Sequence, residues 1–175
     1  MDTSRFWKFF RPASSGGLDA VTAKAAQGDA DAQFALGIKY GAGEGPNQDF
    51  PQAMLFYRQA ADQNHSLAQF NLGLMYAEGQ GVLKDDAQAV IWFRKAADHG
   101  DAGAQHNLGM RYHRASVRSV QLDTLDPKIE AYKWFHLAAA QGYQGSAEAC
   151  DMMTLDMTRE EVTEGNQRAG AFLAH

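Results

Sequence analysis

Cysteine is almost missing from this chain, with Cys150 the one thiol in 175 residues. No intramolecular disulfide can form, so the core must hold the fold, and a reducing, cytoplasmic compartment is expected. Proline is scarce, and valine and isoleucine are few beside abundant alanine. That balance favours helix over strand. Basic charge is in deficit: 16 Lys and Arg stand against 21 Asp and Glu, for a formal net charge of −5. A nucleic-acid surface would need a concentrated basic stripe, so that class of partner is set aside. No apolar run approaches the ~18 residues needed to span a bilayer as a helix.

What the chain does have is internal repetition. AQFALGIKY (Ala32 to Tyr40) returns as AQFNLGLMY (Ala68 to Tyr76) and as AQHNLGMRY (Ala104 to Tyr112). The spacing is 36 both times (68 − 32 and 104 − 68). A fixed period of this size marks stacked supersecondary units, none able to bury its apolar face alone. Such stacks usually offer a long binding surface and carry no chemistry.

Each copy reads as two helices. In the second, helix A runs from about Leu67 to Glu78, with Ala68, Leu72, Met75 and Tyr76 on one face. Gly79-Gln80-Gly81-Val82 breaks it. Helix B follows from an Asp85 N-cap to about His99, with Ala89, Trp92, Phe93, Ala96 and Ala97 inward and Gly100 closing it. Gly37, Gly73 and Gly109 recur inside helix A, where a glycine costs ~1 kcal/mol against alanine. Their shared register implies close approach of a second helix.

The expected organisation is an arm over 1–17, a leading capping helix over 18–30, and repeats over 31–66, 67–102 and 103–144. A half-repeat and capping helix over 145–175 complete it. In the half-repeat, Ala147 takes the place of Ala104. Thr158 and Glu161 form a capping box for a last helix carrying Val162, Ala169, Phe172 and Leu173 inward. The third copy is six residues long in excess (134 − 92 = 42 against 36). The excess is read as an insertion over 115–126, apolar through Val117, Val120, Leu122 and Leu125. Asp126 and Pro127 then restart the helix. Insertions of this kind map to one face of a repeat array, often the binding face. In the arm, Phe6, Trp7, Phe9 and Phe10 alternate with Arg5, Lys8 and Arg11. Two readings stand open: a plain terminal arm with a flexible joint at Ser14 to Gly17, or a basic aromatic segment making weak contact with a membrane or partner.

The pattern A-x-x-x-L-G-x-x-Y, then G-x-G-V, then A-x-x-W-F-x-K-A-A-x-x-G resembles the Sel-1-like repeat, a relative of the tetratricopeptide repeat. Ala68, Leu72, Gly73, Tyr76, Gly79, Gly81, Val82, Ala89, Trp92, Phe93, Lys95, Ala96, Ala97 and Gly100 fall on it. The resemblance covers about Ala25 to the C-terminus. It implies an all-α fold, a right-handed α/α superhelical solenoid, and binding of other proteins, as in bacterial adaptors. Some secreted relatives are cysteine-rich and are linked to binding of penicillin-like compounds; this chain lacks their cysteine pairs.

In stacks of this class helix A lines the inner wall. The partner-binding candidates are therefore Phe34 and Ile38, then Phe70, Asn71, Leu74 and Glu78, then His106, Asn107, Met110, His113 and Arg114. The competing reading packs Phe34 and Phe70 between repeats. No catalytic residue, cofactor or metal is assigned. His106 and His113 share a helix face but lie about two turns, ~10 Å, apart, too far for one ion. Gly79-Gln80-Gly81 follows no strand and is a turn, not a phosphate cradle. The expected function is a non-enzymatic interaction module that binds a protein or peptide on the concave face. The alternatives are an immunity protein or antitoxin neutralising one toxin and, after it, a binder of small ligands or cell-wall fragments.

Overall fold

The computed structural model describes residues 15–43, 48–117 and 126–174. Among these residues the fold is all-α. The helices are α1 (Ser15–Ala26), α2 (Ala30–Gly41), α3 (Phe50–Ala61), α4 (Ser66–Glu78), α5 (Asp86–Asp98), α6 (Ala102–Val117), α7 (Pro127–Ala140), α8 (Ser146–Thr154) and α9 (Arg159–Leu173). They form two compact units, residues 1–92 and 93–175, with the division inside α5 between Trp92 and Phe93. Most of the arm and Val120, Leu122 and Leu125 lie outside the described residues.

In the first unit, helix starts are fixed by side chains that satisfy orphan amides. Asp29 accepts from the Ala32 amide at 2.7 Å, Asp49 from Gln52 at 2.9 Å and Asp85 from Gln88 at 3.0 Å. At the start of α4 the cap is a histidine: His65 Nδ1 accepts from the Ala68 amide at 3.2 Å. The chain leaves α3 through Asn64, whose φ of 64° matches the left-handed turns at Gly28 and Gly100. Asparagine is the residue besides glycine that tolerates this conformation best. The core gathers Ala53, Tyr57, Ala60, Ala61, Ala68, Leu72, Met75 and Trp92.

Gly37 explains the tightness of this packing. A Cβ placed there would lie 2.5 Å from the Tyr57 ring, which is itself 1% exposed. In the second unit, a Cβ on Gly109 would lie 2.6 Å from the ring of Phe135, which is also 1% exposed. Helix A thus touches helix B glycine to ring. Gly165 on α9 repeats the solution against Tyr132 on α7, at 2.6 Å.

A buried amide ties each helix A to the helix before it. Gln33, Gln69 and Gln105 donate through Nε2 to the carbonyls of Ala25, Ala61 and Ala97, at 3.3, 3.2 and 3.4 Å. Gln63 donates in turn to Gln33 Oε1 at 2.8 Å, and Gln141 to Gln105 Oε1 at 2.9 Å.

The second unit closes on α9. Thr158 and Glu161 make the capping box in both directions, and Asp126 caps α7 by accepting from the Lys128 amide at 2.9 Å, with Pro127 in the first turn. Ala169 is buried and Phe172 meets Trp134 edge-on at 5.3 Å. Glu130, 2% exposed, accepts from Arg168 at 3.0 Å, and Arg168 also holds Glu164 at 2.7 Å.

Four details depart from the sequence reading. Ser15, Gly16 and Gly17 form the first turn of α1, where a joint was expected. Helix α6 runs on through Ala115, buried, to Val117, so the third helix A is longer than its predecessors. Ser146, 0% exposed, stands where Ala104 stands one repeat earlier, while Ala147 is exposed; the offset there is 42 (146 − 104), carried over from the long third repeat. Leu173, expected inward, is 71% exposed, next to Phe172, which meets Trp134.

Candidate protein-binding surface

Helix α2 is flanked by α1 and α3, α4 by α3, and α6 by α7 and, through Gln105, the end of α5, so these helices face inward over much of their circumference. On α2, Phe34 is half-buried between two rings, stacked on His65 at 4.5 Å and tilted against Tyr57 at 5.8 Å. The His65 Nε2 also meets Asp31 at 3.2 Å. Ile38, one turn on, is half-buried. On α4, Phe70 and Asn71 are buried, 6% and 4% exposed. The Asn71 amide donates to the Leu67 carbonyl of its own helix at 2.8 Å. Leu74 is half-buried and Glu78 exposed, accepting from Gln80 at 2.7 Å.

On α6 the same register is more open. His106 is half-buried, its Nδ1 sharing a 2.8 Å hydrogen bond with the Ser146 hydroxyl and its ring lying against Phe135 and Tyr143. Asn107 donates back to the Gly103 carbonyl at 2.9 Å, as Asn71 does on α4. Met110 is 40% exposed, and His113 and Arg114 are exposed beyond it. Each asparagine therefore spends a donor on its own helix. At the shared register stand Ile38, Leu74 and Met110 (74 − 38 = 110 − 74 = 36): Ile38 is half-buried against the first unit's core, Leu74 is half-buried and Met110 is exposed.

Burial lowers the His106 pKa from its ordinary 6.5. The folded chain therefore resists a proton that the unfolded chain takes up as pH falls below that value. Stability of the second unit is expected to decline as pH drops through 6.5, since the unfolded state then binds more protons. Urea midpoints at pH 7.5 and 5.5 check this: His106→Gln should flatten the decline, and an unchanged slope would clear His106 of it.

Two recurring groups were not picked out from the sequence as candidates. Arg58 lies over the Trp92 ring at 4.6 Å and donates to the Tyr76 hydroxyl at 3.1 Å. Arg94 lies over Trp134 at 5.2 Å and donates to the Tyr112 hydroxyl. The signal was present in the period, since 94 − 58 is again 36. An exposed-looking arginine on a helix reads as a solvated charge until its ring partners are known.

Three consecutive segments, residues 30–65, 66–101 and 102–143, match the Sel1 repeat. The chain belongs to the Sel1 repeat family. Among solved structures it is similar to a protective antigen present in uropathogenic Escherichia coli strains, which displays an SLR fold. Identity is 28% and the TM-score 0.78, over 98% of this chain and 36% of the antigen. This chain thus spans about a third of that protein's length. A Sel1 repeat protein from Oxalobacter formigenes is 32% identical with a TM-score of 0.64, over 77% of this chain and 97% of that one. No curated protein matches the chain. The fold class is therefore the all-α solenoid of Sel1 repeats, whose members generally serve as protein-interaction scaffolds. Among the described residues, no helix is long and apolar enough to cross a membrane.

Proposed function

We propose that this chain is a non-enzymatic adaptor of the bacterial cytoplasm that holds a partner protein or peptide against its A helices, the inner wall of an α/α solenoid. One observation carries the reading: the Sel1 repeats keep an aliphatic side chain at 38, 74 and 110, partly open in every copy, flanked by asparagines and by the exposed Glu78, His113 and Arg114. Amphipathic segments dock on helix faces of this kind through apolar anchors, and neighbouring charges set polarity. Phe34, Phe70, Asn71, His106 and Asn107 are buried or half-buried and add less open surface.

The test pairs Leu74→Glu with Met110→Glu. Affinity for each protein that co-purifies should fall about tenfold or more, the loss of one or two interface anchors. The helical melting curve should stay close to that of the parent. Unchanged affinity would remove both positions from the binding surface, and loss of folding would place both side chains in the core. One tight partner would mark a dedicated neutraliser, and several weak ones an adaptor.

A further inference from the structure

The two arginine contacts leave a third place in the series that the chain does not fill in the same way. One period before Arg58 stands Thr22 (58 − 36), on α1. Its hydroxyl turns back to the Leu18 carbonyl at 2.9 Å. Tyr40 occupies the register of Tyr76 (76 − 36), and Phe56 that of Trp92 (92 − 36). The Tyr40 and Phe56 rings stack at 5.6 Å and 7°. The Lys39 ammonium, on the sequence neighbour of Tyr40, lies 5.6 Å from the Tyr40 ring. Where Arg58 and Trp92 fill the space between consecutive B helices, a shorter Thr22 and a smaller Phe56 leave a cleft of about 310 Å³. Thr22, Ala25, Gln33, Leu36, Phe56 and Gln59 line it.

We propose that this cleft docks an arginine side chain of a partner polypeptide. The guanidinium would lie on the Phe56 ring, as Arg58 lies on Trp92, with the Thr22 hydroxyl and the Gln33 and Gln59 amides of the lining as its polar neighbours. At the same register in the two later copies the chain itself sets an arginine on the ring of the following B helix. Arginine suits it better than lysine because a planar guanidinium stacks on a ring face while keeping donors at its edge. Charge agrees in sign: residues 1–92 carry seven basic and ten acidic side chains (7 − 10 = −3). None of the partner-binding candidates on the A helices lines this cleft, so the two proposals stand or fall separately.

The probe is N-acetyl-arginine methylamide, titrated into the full ¹⁵N-labelled chain, with the uncharged citrulline analogue as control. Saturable amide shifts at Thr22, Ala25 and Gln59 are expected in the millimolar range, with a weaker response to citrulline. Thr22→Arg should abolish the response by filling the cleft from within, while Thr22→Ala should keep it. No saturable shift, an equal response to citrulline, or an undiminished response in Thr22→Arg would overturn the proposal. A response that emerges only when Arg5, Lys8 and Arg11 are all replaced by glutamine would give the cleft to the chain's own arm and overturn it equally.

Discussion

Gly109→Ala is expected to destabilise the chain by about 2 kcal/mol, although helix propensity alone predicts a gain of about 1 kcal/mol. The added Cβ would sit 2.6 Å from the Phe135 ring, and that ring is 1% exposed. It cannot retreat without moving α7. Overfilling a packed core costs about 1–3 kcal/mol, and here the upper part of the range applies because the obstacle is a rigid buried ring. Urea unfolding followed by circular dichroism gives the sign directly. Phe135→Leu in the Gly109→Ala background should recover part of the loss, so the double-mutant cycle should be well short of additive. A more stable Gly109→Ala protein would mean that the α6 and α7 backbones are not held at this separation.

Arg168→Met is the second large effect, expected at about 2–3 kcal/mol. It removes the guanidinium that binds Glu130 at 3.0 Å and leaves that carboxylate, 2% exposed, with the Lys133 ammonium at 3.6 Å. Stranding one member of a buried pair commonly costs about 3–5 kcal/mol. The lower figure is used because the Arg168 side chain is 27% exposed and Lys133 remains. Glu130→Leu combined with Arg168→Met should return most of the stability, since replacing both charges by apolar groups removes the desolvation penalty as well. A single Arg168→Met variant as stable as the parent would mean that water, not α9, solvates Glu130.

These two sites show where a sequence can be read and where it cannot. The glycine at 37, 73 and 109 announces close helix approach, because a costly residue repeated at one register needs a packing reason. The rings it meets, Tyr57 and Phe135, could be named only as aromatics that fill space. Glu130 gave no such sign: on α7 it resembles any surface glutamate, and its partner lies 38 positions on (168 − 130). The same limit hid the glutamine series. Gln33, Gln69 and Gln105 share the period with the alanines beside them, but a polar side chain on a helix is read as solvated until a buried carbonyl is found opposite.

Local signals did better than tertiary ones. The Thr158–Glu161 capping box and the Asp126-Pro127 start need only their own backbone, and both helix starts stand as expected. The candidate surface was less legible because helix A is flanked on two sides. Its apolar stripe is therefore broad, and Phe70 and Asn71 turn out buried one turn away from the half-open Leu74. Register could name the A-helix positions in every copy. It could not say which of two adjacent positions the neighbouring B helices would cover.

Hydrogen exchange of the whole chain, alone and bound to the protein that co-purifies with it, tests the account most directly. Protection on binding should concentrate in α4 and α6, around Leu74 and Met110, and leave α3 and α7 as they were. New protection confined to α3, α5 or α7, with α4 and α6 unchanged, would contradict the assignment of the binding surface to the A helices.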